Sequence, residues 1–135
     1  MEKILKQIKA VFAEINVAGK AQDSIALLTA ANQLSVLRYN LADYWVAAKS
    51  RAEELEFNYK QKTDTRFLEY RAQEKTIDEA KALAREDTAL DFVDWLKADE
   101  EKNRLSALRD DLATKISLIQ SFCSEIRSSK NFKEL

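Results

Sequence analysis

Histidine and proline are absent from this 135-residue chain, and glycine and cysteine occur once each. Without histidine, the commonest general base and metal ligand is missing. A lone cysteine with no histidine cannot make a thiol-protease pair, and a lone glycine cannot build a phosphate-cradling loop. Cys123 has no partner for an intramolecular disulfide; it lies on an apolar stripe and reads as a small buried hydrophobe. No apolar run approaches the ~18–20 residues that span a bilayer. Met1-Glu2-Lys3 opens an amphipathic helix and not a signal peptide, so no membrane is expected and the expected location is cytoplasmic. Charge of one sign is missing too. The 22 basic and 23 acidic residues leave −1, so the global field draws the chain neither to nucleic acid nor to anionic lipid.

What remains is helix-forming. With 33% charged and 46% hydrophobic residues there is little material for strands, turns or linkers. One all-α domain, residues 1–135, is expected, long enough for a core of its own. The first helix, residues 1–18, sets Ile4, Ile8, Val11, Phe12 and Ile15 on one face. It ends near Gly19, the residue that enters a left-handed position without a Cβ penalty. At about four turns it needs a partner surface.

A long helix follows over residues 23–73, capped by Asp23 or Ser24, with Leu27, Leu34, Leu41, Ala48 and Leu55 at heptad spacing. Its first half has an apolar arc wide enough for a third helix, the docked N-terminal one. Thr76-Ile77-Asp78-Glu79 is a capping box that opens a short turn helix, residues 76–86. A return helix, residues 88–128, is recapped by Asp87 or Thr88 and carries Leu105, Leu108, Leu112, Ile116, Ile119, Cys123 and Ile126 on one face. Asn131–Leu135 is expected to fray. Two long apolar stripes joined by one turn read as a long antiparallel, coiled-coil-like hairpin.

Folding the legs about that turn gives a register in which paired residue numbers sum to about 160. Leu41 then meets Ile119, Arg66 faces Asp94 and Tyr59 faces Glu101. A second, smaller core at the tip would hold Phe67, Leu68, Ile77, Leu83, Phe92, Trp95 and Leu96, with a polar waist between the two cores.

Arg51…Tyr59…Arg66…Tyr70, Thr76-x-x-Glu79-Ala80-x-x-x-Ala84 and Leu108…Ile116-x-x-x-Gln120-Ser121 resemble a group of small, uncharacterised helical proteins of tailed bacteriophages. The resemblance covers roughly residues 37–127, and the N-terminal helix has no counterpart in it. Proteins of that group tend to be encoded near replication and single-strand-annealing genes. The resemblance implies a phage origin and non-catalytic work in DNA metabolism or host takeover, within the bacterial host cell. It carries over no functional residue.

No catalytic, cofactor or metal-binding residue is assigned. A helical carboxylate Mg²⁺ site would need two facing acidic pairs. Glu53-Glu54-Leu55-Glu56 could supply one, but Asp91-x-x-Asp94, the nearest second pair, falls away from it in the expected register. The candidate surface is an interaction surface: Tyr59, Lys62, Arg66 and Tyr70 on one face of the second helix, Asp94 and Glu101 across the waist, and Trp45. Aromatics interleaved with cations also suit single-stranded DNA. Glu56, Asp64, Glu69 and Glu74 interrupt the patch, and the expected partner is a protein, with DNA or a second copy of the chain as alternatives.

Overall fold

The structure is a computed structural model that describes residues 1–134, with side chains through residue 130. The described residues are all-α: α1 Glu2–Lys20, α2 Ser24–Ala72, α3 Ile77–Asp87 and α4 Ala89–Glu134. The 49 residues of α2 and 46 of α4 run unbroken because nothing in them lacks an amide hydrogen or a Cβ. α4 continues past the expected end at Ser128, and the expectation of fraying at Asn131–Leu135 falls largely outside the described side chains. No described helix is long and apolar enough to cross a membrane.

Both turns end their helices in the same way. Asp23 N donates to Ala18 O and Gln22 N to Gly19 O, while Lys75 N donates to Tyr70 O and Glu74 N to Arg71 O. Each is a Schellman closure, whose penultimate residue must be left-handed. Those residues are Gln22, φ 53°, and Glu74, φ 63°. Gly19 is not the stop signal its sequence position suggested; it lies within α1, and the chain turns three residues later. The next helices start on side-chain caps. Asp23 Oδ1 accepts from Ala26 N at 3.1 Å, and Thr76 Oγ1 accepts from Glu79 N at 3.2 Å.

The chain groups into two units, Met1–Tyr44 with Leu105–Leu135, and Trp45–Arg104. In the first unit three helices share a core. α1 supplies Ile8, Val11, Ile15 and Ala18; α2 supplies Leu27, Ala30, Leu34, Leu37 and Leu41; α4 supplies Leu105, Leu112, Ile119, Cys123 and Ile126. Leu34, Leu41 and Leu112 are completely excluded from solvent. Cys123 is buried as expected, its Sγ 3.7 Å from Ser24 O.

The register here differs from the expected one. Arg38 Nε donates to Arg109 O at 3.0 Å, and both this pair and Ser24 with Cys123 have numbers summing to 147. Leu41 therefore lies level with Leu105, and Ile119 with Leu27, which lines the same groove. The shift is about two heptads, which exchanges leucine for leucine along both stripes and leaves the apolar pattern satisfied either way.

In the second unit the buried residues are Ala52, Ala80, Ala84, Thr88 and Ala98. Small residues let α2 meet α3 and the start of α4 closely. The apolar tip core does not form as expected: Leu68 is 65% exposed, Ile77 51%, Phe92 39% and Leu96 44%. The cause is the position of α3. It does not cap a turn but already returns along α2, so Asp87 meets Tyr70 and Thr88 meets Thr63.

Candidate interaction surface

Thr88 is the pivot on which α4 starts. Its backbone, φ −111° and ψ 14°, leaves the helical region for one residue between α3 and α4. Its amide and its hydroxyl both donate to Ala84 O, at 3.2 and 2.8 Å. On α2, Thr63 Oγ1 lies 2.8 Å from Tyr59 O and 3.0 Å from Thr88 Oγ1. Two hydroxyls carry two protons, so only two of these three side-chain contacts are hydrogen bonds at any moment. The pair pins the bend to α2 and aims the first turns of α4.

The seven side chains singled out from the sequence separate into engaged and exposed groups. Tyr59 does not face Glu101. Its ring stacks on Trp95 with centroids 5.7 Å apart and tilts against Phe92 at 5.4 Å, while Phe92 meets Trp95 edge-on at 5.8 Å. In this unit the pairs sum to 151–154, a slip of about one heptad from the expected register, which brings this trio together and makes Tyr59 part of helix packing. Lys62 Nζ donates to Asp91 Oδ2 across the helices at 3.0 Å. Arg66 does not face Asp94; it pairs with Glu69 on its own helix at 3.1 Å. The Tyr70 hydroxyl donates to Asp87 Oδ2, and that hydrogen bond, helped by desolvation and by the carboxylate charge, holds the phenol above its ordinary pKa of 10.0. Trp45 is half-buried beneath Lys49 Nζ, 5.4 Å from the ring centroid. Asp94 and Glu101 are exposed on α4.

The acidic pair once weighed as half a metal site is neutralised by cations. Lys49 approaches Glu53 at 3.9 Å and Lys60 approaches Glu56 at 2.7 Å. Lys102 bonds Asp99 at 2.8 Å, and that hydrogen bond raises the ammonium pKa, opposed by desolvation and aided by the charges of Asp99, Glu53 and Glu56. Among the described residues no group of three or more carboxylates or thiols could hold a metal ion.

Pattern reading missed an exposed apolar run of this unit. Leu90 is 80% exposed, Val93 41% and Leu96 44%, at steps of three along the first turns of α4. Steps of three keep neighbouring side chains in contact on a helix surface. Leu-x-x-Val-x-x-Leu was visible in the sequence, but an apolar triplet on a helix is ordinarily core, and only the register reveals that α2 packs against the other side. No protein-family model, curated protein or solved structure matches this chain.

Proposed function

We propose that the chain is a non-enzymatic accessory protein that works by binding a protein partner, within a phage-infected bacterial cell, in DNA replication, recombination or host takeover. The observation that carries the binding part is the run Leu90, Val93 and Leu96, which leaves three large apolar side chains in water on a helix whose opposite side is packed. A face of that kind loses free energy until it is covered, at about 25 cal/mol per Å² of apolar surface. The setting rests on the likeness to phage helical proteins. Direct DNA binding has weaker support: Tyr59 is stacked within the unit and Lys62 and Arg66 are paired with carboxylates, so neither the stacking platform nor the free cations are in place.

The test is crosslinking in host cells with the tagged full chain, wild type beside Leu90→Gln/Leu96→Gln. The reading expects one dominant partner whose crosslinks concentrate on Lys97 and disappear in the variant. Salt-sensitive retention of a single-stranded oligonucleotide without a protein partner would replace it with DNA binding. A large concentration-dependent homo-oligomer would replace it with a structural role.

A further inference from the structure

The charges around Leu90, Val93 and Leu96 bear on what could cover them. Glu86, Asp94, Glu100 and Glu101 are exposed, and no ion pair among the described residues engages them. The remaining carboxylates of this stretch are occupied: Asp87 by Tyr70, Asp91 by Lys62 and Asp99 by Lys102. Lys97 is the one exposed cation between residues 86 and 101. On the helix, Asp94 follows Leu90 by one turn and Glu100 follows Leu96 by one turn, so acids flank the apolar run along its length.

We infer that this face is a docking site for a cationic amphipathic helix, a partner segment with apolar side chains at three- and four-residue steps and Lys or Arg beside them. The inference rests on the protein-binding reading above and names the chemistry of the partner. Electrostatics selects among the occupants. A second copy would set its own Glu86, Asp94, Glu100 and Glu101 against these, and like charges across an interface oppose association. Nucleic acid and anionic lipid would meet the same repulsion. A basic helix pairs with the acids while its apolar stripe covers the leucines, packing helix against helix. Leu90 and Leu96 lie about 9 Å apart along α4, room for two or three anchoring side chains. A face of three side chains is small for a permanent interface and suits a transient one, with dissociation constants on the order of micromolar.

The probe is a pair of synthetic helical peptides with identical leucines, one flanked by lysines and one by glutamates, titrated into the full-length chain by calorimetry. The lysine peptide should bind, more weakly as salt is raised. Leu90→Gln/Leu96→Gln should weaken it about tenfold or more, the loss of two apolar anchors. Asp94→Lys/Glu100→Lys should weaken it too and raise affinity for the glutamate peptide. Leu118→Gln, a 61%-exposed leucine of the other unit, should change nothing. Circular dichroism and melting confirm that each variant is folded. Equal binding of the two peptides, or indifference to the α4 substitutions, overturns the inference. So does concentration-dependent self-association abolished by Leu90→Gln/Leu96→Gln, since a second copy would then cover the face. If the lysine peptide fails yet cellular crosslinking still captures a partner lost in Leu90→Gln/Leu96→Gln, the cationic-helix assignment is wrong and the protein-binding reading stands.

Discussion

The single glycine stands three residues from where the backbone would use it, and this makes an unusual pair of substitutions stabilising. Gly19 has ordinary helical geometry, and a Cβ built on it meets nothing within 4 Å. Glycine inside a helix is worth roughly 0.5–1 kcal/mol less than alanine because the unfolded chain gains more freedom from it. Gly19→Ala should therefore stabilise by about that amount. Gln22 is the opposite case, with φ 53° in the left-handed region. That conformation costs a residue bearing a Cβ roughly 1–2 kcal/mol, from which the added entropy of an unfolded glycine removes ~0.4–1 kcal/mol. Gln22→Gly should stabilise by about 0.5–1 kcal/mol, and Glu74→Gly, at φ 63°, by a similar amount.

For a chain of this length each gain corresponds to about 2–4 °C in melting midpoint. The assay is chemical denaturation followed by circular dichroism, with thermal melting beside it. Gly19→Ala and Gln22→Gly should each raise the midpoint, whereas Gly19→Ala would lower it if Gly19 were the left-handed residue that its place near the end of α1 suggests. A destabilised Gly19→Ala with a neutral Gln22→Gly would refute the turn geometry and the argument built on it.

The register is tested with the native thiol. Ser24→Cys should form an intramolecular disulfide with Cys123, whose Sγ lies 3.7 Å from Ser24 O, while Leu37→Cys, the position that a 160-sum register would place beside it, should leave both thiols free on mild oxidation. At the bend, Thr63→Val and Thr88→Val should each cost about 1–2 kcal/mol, but the double substitution should cost less than their sum, because the contact between the two hydroxyls is lost in either single variant and can be lost only once; strict additivity in urea denaturation would show that they are not coupled. The Tyr70 phenol should ionise only above its ordinary range in a spectrophotometric titration, and Asp87→Ala should bring it back. Because the folded-state pKa is raised, the stability this bond adds is present below pH 10 and is lost as pH rises through the folded value, so Tyr70→Phe should flatten the alkaline limb of the stability profile; an unchanged limb would remove Tyr70 as its source.

The all-α class followed from absences in the sequence, since a chain with no proline and one glycine can stop a helix only by capping or by strain. The caps at Asp23 and Thr76 were legible because short polar side chains at those positions have one favourable use. The left-handed residues were not. Gln22 and Glu74 carry no signature of positive φ, and the closing amide bonds that hold them there belong to the backbone. Nor was the register, for a different reason. Leu27, Leu34 and Leu41 repeat at seven residues, as do Leu105, Leu112, Ile119 and Ile126, so sliding one stripe past the other by 14 still places apolar side chains opposite one another. Burial cannot decide between two such arrangements. The turn decides, and whether α3 belongs to the turn or to the returning leg depends on how Thr88 packs against Thr63.

That one ambiguity also governed the site. In the second unit a slip of about one heptad moves Tyr59 from a carboxylate to an aromatic pair, and a group that looked ready to stack on a base becomes an element of helix packing. The cations beside it are then best explained by Asp91 and Glu69, which they reach at 3.0 and 3.1 Å. The same slide turns Leu90, Val93 and Leu96 outward. Exposed ion pairs contribute only ~0–1 kcal/mol each, so the paired cations of α2 add little to stability and present little unpaired charge. Three exposed aliphatic side chains accompanied on α4 by Asp94, Glu100 and Glu101, none of which an ion pair among the described residues engages, oppose solubility on one count and favour a basic partner on the other. The exposed candidates for recognition therefore lie on α4 with Asp94 and Glu101, and of the apolar run beside them the sequence pattern assigns Leu96 alone to a core.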